Sequence, residues 1–455
     1  IGGFDSVNTP DGHSDMDLSY KLLEAGYRCV YTPYSVLRHI GNHSWGAKRH
    51  KYKADMFALR RWGKFVSTDP YFTESMKRVL YHDFRFNYRI HAEHIERTEE
   101  MSGPDVLFVS HELSLTGAPR MLFYAAKAVL KSGGFPVVVA PQDGPMREEM
   151  VRAGIVVIID ASVGDNHFLF ERFARNFDLA VVNTVALESV VRQLSSISIL
   201  RTIWWLHEAR SLASYLPSVK DVRWERVRVL CVSDYARNFV PAEIRAETIY
   251  NGIPDESSRV SVPRQNRECP FAFLMAGTIE PRKGQDIFVS AVALLPKEVR
   301  EQCRFVLTGK LWPMYEEYWA AQEARLENLP EVTYQGLISH DALLAEMAAA
   351  DVLVCCSRDE PFSLVATEAA MLSRPAILSE CVGSAEIFEH GRTCLVCEAE
   401  SATALAQRML EAYADRKGMM TMGLEARQTF EAHLSEQRFG QRFLAVVEKE
   451  VGLRA

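Results

Sequence analysis

From residue 104 onward, short β-branched runs alternate with longer stretches of helical periodicity, and this alternation limits the possible fold more than any other feature. DVLFVS (105–110), PVVVA (136–140), VVIID (156–160), DLAVVN (178–183), TIWWLH (202–207) and RVLCVS (228–233) read as strands. Between them, PRMLFYAAKAVLKSGG and MREEMVRAG read as helices. Strands alternating with helices predict a parallel sheet covered on both faces. Near residue 251, NGIPDESSRVSVPRQNREC turns polar and rich in turn formers, as an interdomain link would. The alternation then restarts with FAFLMAG (271–277), RFVLTG (304–309), EVTYQG (331–336), DVLVCCS (351–357) and PAILSE (375–380), and three helical stretches close the chain from about Ala402. The expectation is α/β: two domains of similar size, 104–255 and 256–455, joined by a hinge.

Composition narrows the function more by exclusion. The 455 residues are 48% hydrophobic and 24% charged, ordinary for a globular chain, and the net charge of −7 argues against a nucleic-acid partner. Nine cysteines are an odd number spread through apolar contexts, which predicts reduced, buried thiols in a cytoplasmic setting. Cys394 and Cys397 form a C-x-x-C, but TCLVC reads as a strand, whose residues three apart face opposite sides. No apolar run approaches the roughly 18 residues that span a bilayer. The chain starts IGGFDSV, which already reads as loop leading into helix, so a piece of a longer protein is expected.

In open α/β sheets, ligands sit beyond the carboxyl ends of the strands, where helix N-termini present free N–H groups. Three polar clusters fall at such places. HELSLTGAPR follows the first strand, and Gly117 there would allow close approach of a ligand. TIEPRKGQD follows FAFLMAG; Arg282 and Lys283 just ahead of a helix expected near Gly284 would clamp a diphosphate. SRDEPFSLVATEAAM follows DVLVCCS, with Pro361 expected in a first helical turn and the N–H groups of Phe362, Ser363 and Leu364 facing the ligand. Glu360 ahead of that helix and Glu368 about two turns in are spaced to meet hydroxyls at opposite ends of one ligand.

The Glu-x7-Glu run, Lys283 in RKGQD, and GSAEIFEHGRTCLV (383–396) together resemble family 4 glycosyltransferases of the GT-B fold, over about 350 residues. The resemblance implies a pair of Rossmann-like domains with an interdomain cleft, and a nucleotide-sugar donor. By that likeness Lys283 and Arg282 hold the diphosphate, Glu368 the ribose and Glu360 the donor sugar. Gly117 matches the glycine loop of the first domain, and His207 matches a histidine facing the donor sugar. Retention of configuration and no metal requirement are further expectations. Two positions depart from the family pattern. Thr278 stands where an Arg usually follows the glycine, and Thr116 precedes Gly117 where a second glycine is common. A nucleotide-sugar epimerase on the same fold and a non-catalytic scaffold remain as alternatives.

Residues 1–90 do not follow the alternation. GGFDSVNTPDGHSDMDLSYKLLEAGYRCVYTPYSVLRHIGNHSWG resembles the last part of family 2 glycosyltransferases of the GT-A fold. That resemblance implies a general base at Asp15 and a metal-side histidine at His39, in a segment lacking its nucleotide-binding half. The plainer alternative is that Asp15 and Asp17 cap a helix. The basic, aromatic stretch 48–65 is expected to pack on the missing half-domain, with an anionic membrane surface as its other possible partner. Residues 91–103 read as a charged linker, and His91 and His94 within it as solvated rather than metal-binding.

Overall fold

The computed structural model describes residues 1–9, 13–30, 32–34, 36, 52–67, 88–93, 103–165, 168–260 and 270–452. The apolar runs become parallel strands because both faces of each are covered. Asp105–Val109 (β2) lies between Phe135–Ala140 (β3) and Leu179–Asn183 (β5), and β3 pairs in turn with Val156–Ile159 (β4), all in parallel. Every residue of β3, β4 and β5 is buried, which is why these runs lack a polar–apolar alternation. The helices Gly117–Lys131, Met146–Arg152 and Phe168–Ala174 supply the long crossovers that parallel neighbours require.

Three further strands, Arg201–Leu206 (β6), Val227–Cys231 (β7) and Ala246–Thr248 (β8), extend the sheet on the β5 side, and Arg89–His91 (β1) closes the other edge. The order is β1-β4-β3-β2-β5-β6-β7-β8. β1 is antiparallel to β4. Residues 91–103 were expected to be linker from the start, yet His91 belongs to this strand. Its composition is polar, but an edge strand needs only backbone groups facing the open edge of β4. His94 and His39 lie outside the described residues.

The second sheet is all parallel. Phe271–Ala276 (β9), Cys303–Thr308 (β10), Val332–Tyr334 (β11), Val352–Cys355 (β12), Ala376–Ser379 (β13) and Leu395–Cys397 (β14) take the order β11-β10-β9-β12-β13-β14. β10 lies on one side of β9 and β12 on the other, so the direction of winding reverses between β9 and β12. In open α/β sheets such a reversal is where ligands sit, beyond the carboxyl ends of the strands. Beneath it, Phe273 stacks on Phe305 with ring centres 5.4 Å apart, and Phe288 meets Phe305 edge-on.

By its contacts the chain divides into two compact units, residues 1–203 with 221–227 and 448–455, and residues 204–220 with 228–447. The second unit begins well before the hinge expected near 255. The reason lies in its own bonds: the Ser233 hydroxyl donates to the Pro361 carbonyl at 2.7 Å, and Trp205 stacks on Phe439 at 5.7 Å.

The N-terminal segment has a small core within the first unit. Trp62, on helix Tyr52–Ser67, is fully buried, and its Nε1 donates to Asp17 Oδ1 at 2.9 Å. Asp17 lies on helix Ser14–Glu24, where Tyr20 stacks on Phe65. The apolar face of Tyr52–Ser67 therefore has a partner inside this chain, since Met56 and Trp62 are both covered. Asp17 is a buried hydrogen-bond acceptor rather than a helix cap. Asp15 is exposed, and its carboxylate accepts the Met16 N–H at 2.9 Å. Among the described residues no helix is long and apolar enough to cross a membrane.

In the second unit, the stretch after β8 is tied down by Asp255, whose carboxylate pairs with both terminal nitrogens of Arg427. The same guanidinium donates to the Met371 carbonyl at 2.7 Å. Hydrogen bonding to Arg427 holds the Asp255 carboxyl down at about 2. A depressed carboxylate contributes stability above its unfolded value, near 4, and loses it as pH falls through the folded value of about 2. Asp255→Asn should therefore lower the melting temperature at pH 7, and the deficit should vanish as pH approaches 2. The pair is partly solvated, so a small deficit is expected. Thermal melts of both proteins across that range check the sign.

Candidate functional site

The site grows from the loops that follow β9 and β12, on either side of the winding reversal. After β9 the chain makes one tight turn, Pro281–Lys283, and enters helix Gln285–Leu294. Gly284 joins them at φ 82°, where an added Cβ would stand 2.5 Å from the Cys356 carbonyl oxygen. Only glycine allows the turn to sit this close to the end of β12. The helix therefore begins one residue after Gly284, with Arg282 and Lys283 just ahead of it as the spacing predicts.

After β12, Glu360 is pinned through its backbone. Its N–H donates to the Cys381 carbonyl at 3.0 Å, and its own carbonyl accepts from Gly383 N at 2.8 Å. Gly383 permits this contact, because a Cβ there would stand 2.1 Å from the Pro361 carbonyl oxygen. The Glu360 carboxylate, nearly buried, pairs with Lys283 Nζ. Arg282 Nη1 lies 3.7 Å from the same carboxylate and donates to the Asp359 carbonyl at 2.8 Å, while Nη2 donates to Glu280 at 2.7 Å. Burial alone would lower the Arg282 pKa, but Glu360 and Glu280 more than offset it and hold it above the ordinary value.

A second guanidinium braces the turn. Arg358 makes a two-pronged bond to Asp286, at 2.9 and 2.7 Å, and donates to the Pro281 carbonyl. Its backbone N–H donates to the Arg282 carbonyl at 2.8 Å. Burial pushes the Asp286 carboxyl up, but the bonds from Arg358 and Tyr318 leave it below its ordinary range. Asp286 is thus an anion at a helix N-terminus, where the dipole favours it.

Helix Leu364–Met371 starts later than the sequence suggested. Ser363 is its N-cap and accepts the Ala366 N–H, so Pro361 stands ahead of the helix rather than in its first turn. Phe362 is buried just before the cap, and Leu364 is the first helical residue. Glu368 is consequently a little over one turn in, not two. It is almost buried, and His340 Nδ1 lies 3.9 Å from its carboxylate while His340 Nε2 contacts Glu256 at 3.1 Å.

His207 follows β6 at a strand end, half-buried, with its ring 4.8 Å from that of Trp205. Its loop is linked to the Glu360 loop through side chains the sequence did not single out. Arg210 donates to Tyr235 Oη at 3.2 Å and to Cys381 Sγ at 3.0 Å, and the Tyr235 hydroxyl donates to Asp359 at 2.9 Å. Burial, above all, pushes the Tyr235 phenol up, so it acts as a fixed hydrogen-bonding group. Glu386 accepts the Asp234 and Tyr235 backbone N–H groups and anchors the same loop. Arg282, Lys283, Glu360, Phe362, Ser363, Leu364, Glu368 and His207 all belong to the second compact unit.

Gly117 belongs to the first unit, as the opening residue of helix Gly117–Lys131 with Thr116 as N-cap. It is not among the glycines held at positive φ, so what it offers there is the missing side chain. In the loop before it, the Ser114 and Thr116 hydroxyls both donate to Glu112 Oε1, at 2.6 and 3.1 Å. Cys394 and Cys397 are both buried, and burial pushes each thiol up to about 12, away from thiolate chemistry at neutral pH.

Comparison with known proteins agrees with this architecture. Residues 102–248 match the family described as Glycosyl-transferase family 4, and residues 260–429 that described as Glycosyl transferases group 1. An uncharacterized glycosyltransferase of Methanocaldococcus jannaschii, MJ1178, is 28% identical over 198 residues, 43% of this chain and 52% of that protein. A glycogen synthase of Mycobacterium tuberculosis is 28% identical over 226 residues, 50% of each. The chain thus spans about half the length of these curated relatives. Among solved structures, Anabaena Alr3699/HepE in complex with UDP and glucose superposes with a TM-score of 0.65 at 21% identity, covering 76% of this chain and 99% of that one. Two separate stretches of the chain, 102–248 and 260–429, thus each match a glycosyltransferase family model, and its two Rossmann-like sheets share the GT-B architecture of the solved neighbour.

Proposed function

We propose that this chain moves a sugar from a nucleotide-sugar donor to a glycan or lipid-linked glycan acceptor, with retention of anomeric configuration and without a metal. One observation carries the reading. At the winding reversal between β9 and β12, two adjacent cations meet a nearly buried carboxylate beside two helix N-termini. A diphosphate would take Lys283 and Arg282, and the first N–H groups of the Gln285 and Leu364 helices would share its charge. Glu360, released from Lys283, would then accept hydroxyls of the donor sugar, and Glu368 those of the ribose. As the glycosidic bond to the diphosphate breaks, the leaving group gains charge where these donors already point. The acceptor hydroxyl attacks from the same face, with His207 as a further contact. UDP and glucose in the HepE structure support a nucleotide-sugar donor.

We assign residues 104–255 to the acceptor side and 256–455 to the donor side. Residues 1–90 are read as the C-terminal part of a family 2, GT-A-like module, on the resemblance around Asp15. Assembly of a bacterial surface polysaccharide, at the cytoplasmic side of a membrane, is the setting that fits such a pairing. A thermal-shift panel of UDP-, GDP- and dTDP-sugars tests the core of this reading. The right donor at 100 times its dissociation constant should add about 2.7 kcal/mol of stability. No shift with any donor would sink the donor site, and epimer formed from donor alone would make the chain an isomerase.

A further inference from the structure

The β9 loop holds two cations, and each already has a carboxylate partner. Lys283 pairs with Glu360, and Arg282 with Glu280. Thr278, two positions before Glu280, brings no charge, and its carbonyl is occupied by Gln285 Nε2 at 2.9 Å. Arg358, the guanidinium that braces this turn, is committed to Asp286 on both prongs. Any diphosphate that binds at this turn must therefore draw its guanidinium from Arg282, whose side chain is 40% exposed while that of Glu280 is 16% exposed. Two cations facing two carboxylates leave no net positive charge for an incoming dianion.

We propose that Glu280 is a counter-ion latch on Arg282: the entering nucleoside diphosphate must win the guanidinium from Glu280, and this carboxylate thereby sets donor affinity. The inference rests on the donor-site reading above and assigns Glu280 a role within it. Arg282 has donors to spare, since it can keep the Asp359 carbonyl on Nη1 while Nη2 swings from Glu280 to a phosphate oxygen. The cost of binding is then the lost ion pair plus the repulsion between the freed carboxylate and the diphosphate. Both terms disappear when Glu280 is neutral.

Isothermal titration with UDP and with GDP, at fixed ionic strength, tests this directly. Glu280→Gln should tighten binding of whichever nucleotide the parent takes by about three- to tenfold. Glu280→Asp, with a shorter reach to Arg282, should give an intermediate gain. In an Arg282→Ala background the gain from Glu280→Gln should shrink to the repulsion term alone, because the latch then has nothing to hold. Affinity that stays within twofold, or falls, in a folded Glu280→Gln protein overturns the latch. So does an equal gain in the Arg282→Ala background, which would reduce Glu280 to simple repulsion. A parent that binds neither nucleotide overturns the donor-site reading itself, a different outcome from a parent that binds and a Glu280 variant that matches it.

Discussion

Lys283→Ala should lower kcat by about 100-fold or more, the usual loss when one preorganised donor to a developing charge is removed. The ammonium sits where the β9 turn meets the Glu360 carboxylate, and the backbone there is fixed by Gly284 and by Arg358. On the proposed reading its contact with the leaving diphosphate would strengthen as the bond to the sugar breaks, so the loss should fall on kcat more than on KM. The substitution also strips a nearly buried carboxylate of its cation, which can weaken the fold by itself. Lys283→Ala should therefore be measured beside Lys283→Ala with Glu360→Gln, which removes the orphaned charge. If the double variant regains thermal stability yet turns over far less than Glu360→Gln alone, the deficit of Lys283→Ala is electrostatic. A fall of less than threefold in kcat would place the clamp on Arg282 alone.

Glu368→Gln should weaken nucleoside diphosphate binding by about tenfold or more while the fold survives, since hydrogen bonds to a charged acceptor contribute about 1.5–3 kcal/mol each way. A carboxylate can accept two vicinal hydroxyls at once, whereas an amide offers one acceptor and one donor. The side chain is nearly buried on a helix capped by Ser363, so an isosteric change should leave the packing as it is. Titration with UDP against inorganic pyrophosphate separates ribose from phosphate recognition. Only the nucleotide should lose affinity; equal affinity for the nucleotide in parent and variant would remove Glu368 from the ribose site.

Much of this was legible along the chain because it depends on local rules. The apolar runs of β9 and β12 are long enough to cover both faces of a strand, and the residues just past them must then lie at a sheet end. Gly284 after two cations, and Ser363 before an apolar helix, are punctuation that a sequence displays openly. Pro361 suits a first helical turn, yet Ser363 offers the Ala366 amide a side-chain acceptor, and the helix starts there instead. In 48–65 the basic residues are visible in sequence, whereas the Trp62–Asp17 bond that helps cover this helix spans 45 residues and is not.

The order of the elements, the burial of the strands and the position of Lys283 and Glu360 beside a helix start are all written in the chain. Those follow from side-chain periodicity and turn chemistry, which act over a few residues. The tertiary structure alone decided that β12 pairs with β9 and not with β11, and so brought Lys283 to Glu360 across 77 residues. It also decided that Arg358 braces Asp286 rather than the ligand, and that Glu280 takes Arg282. A charge chooses its partner by distance and desolvation, and neither is fixed until the sheet has closed around it.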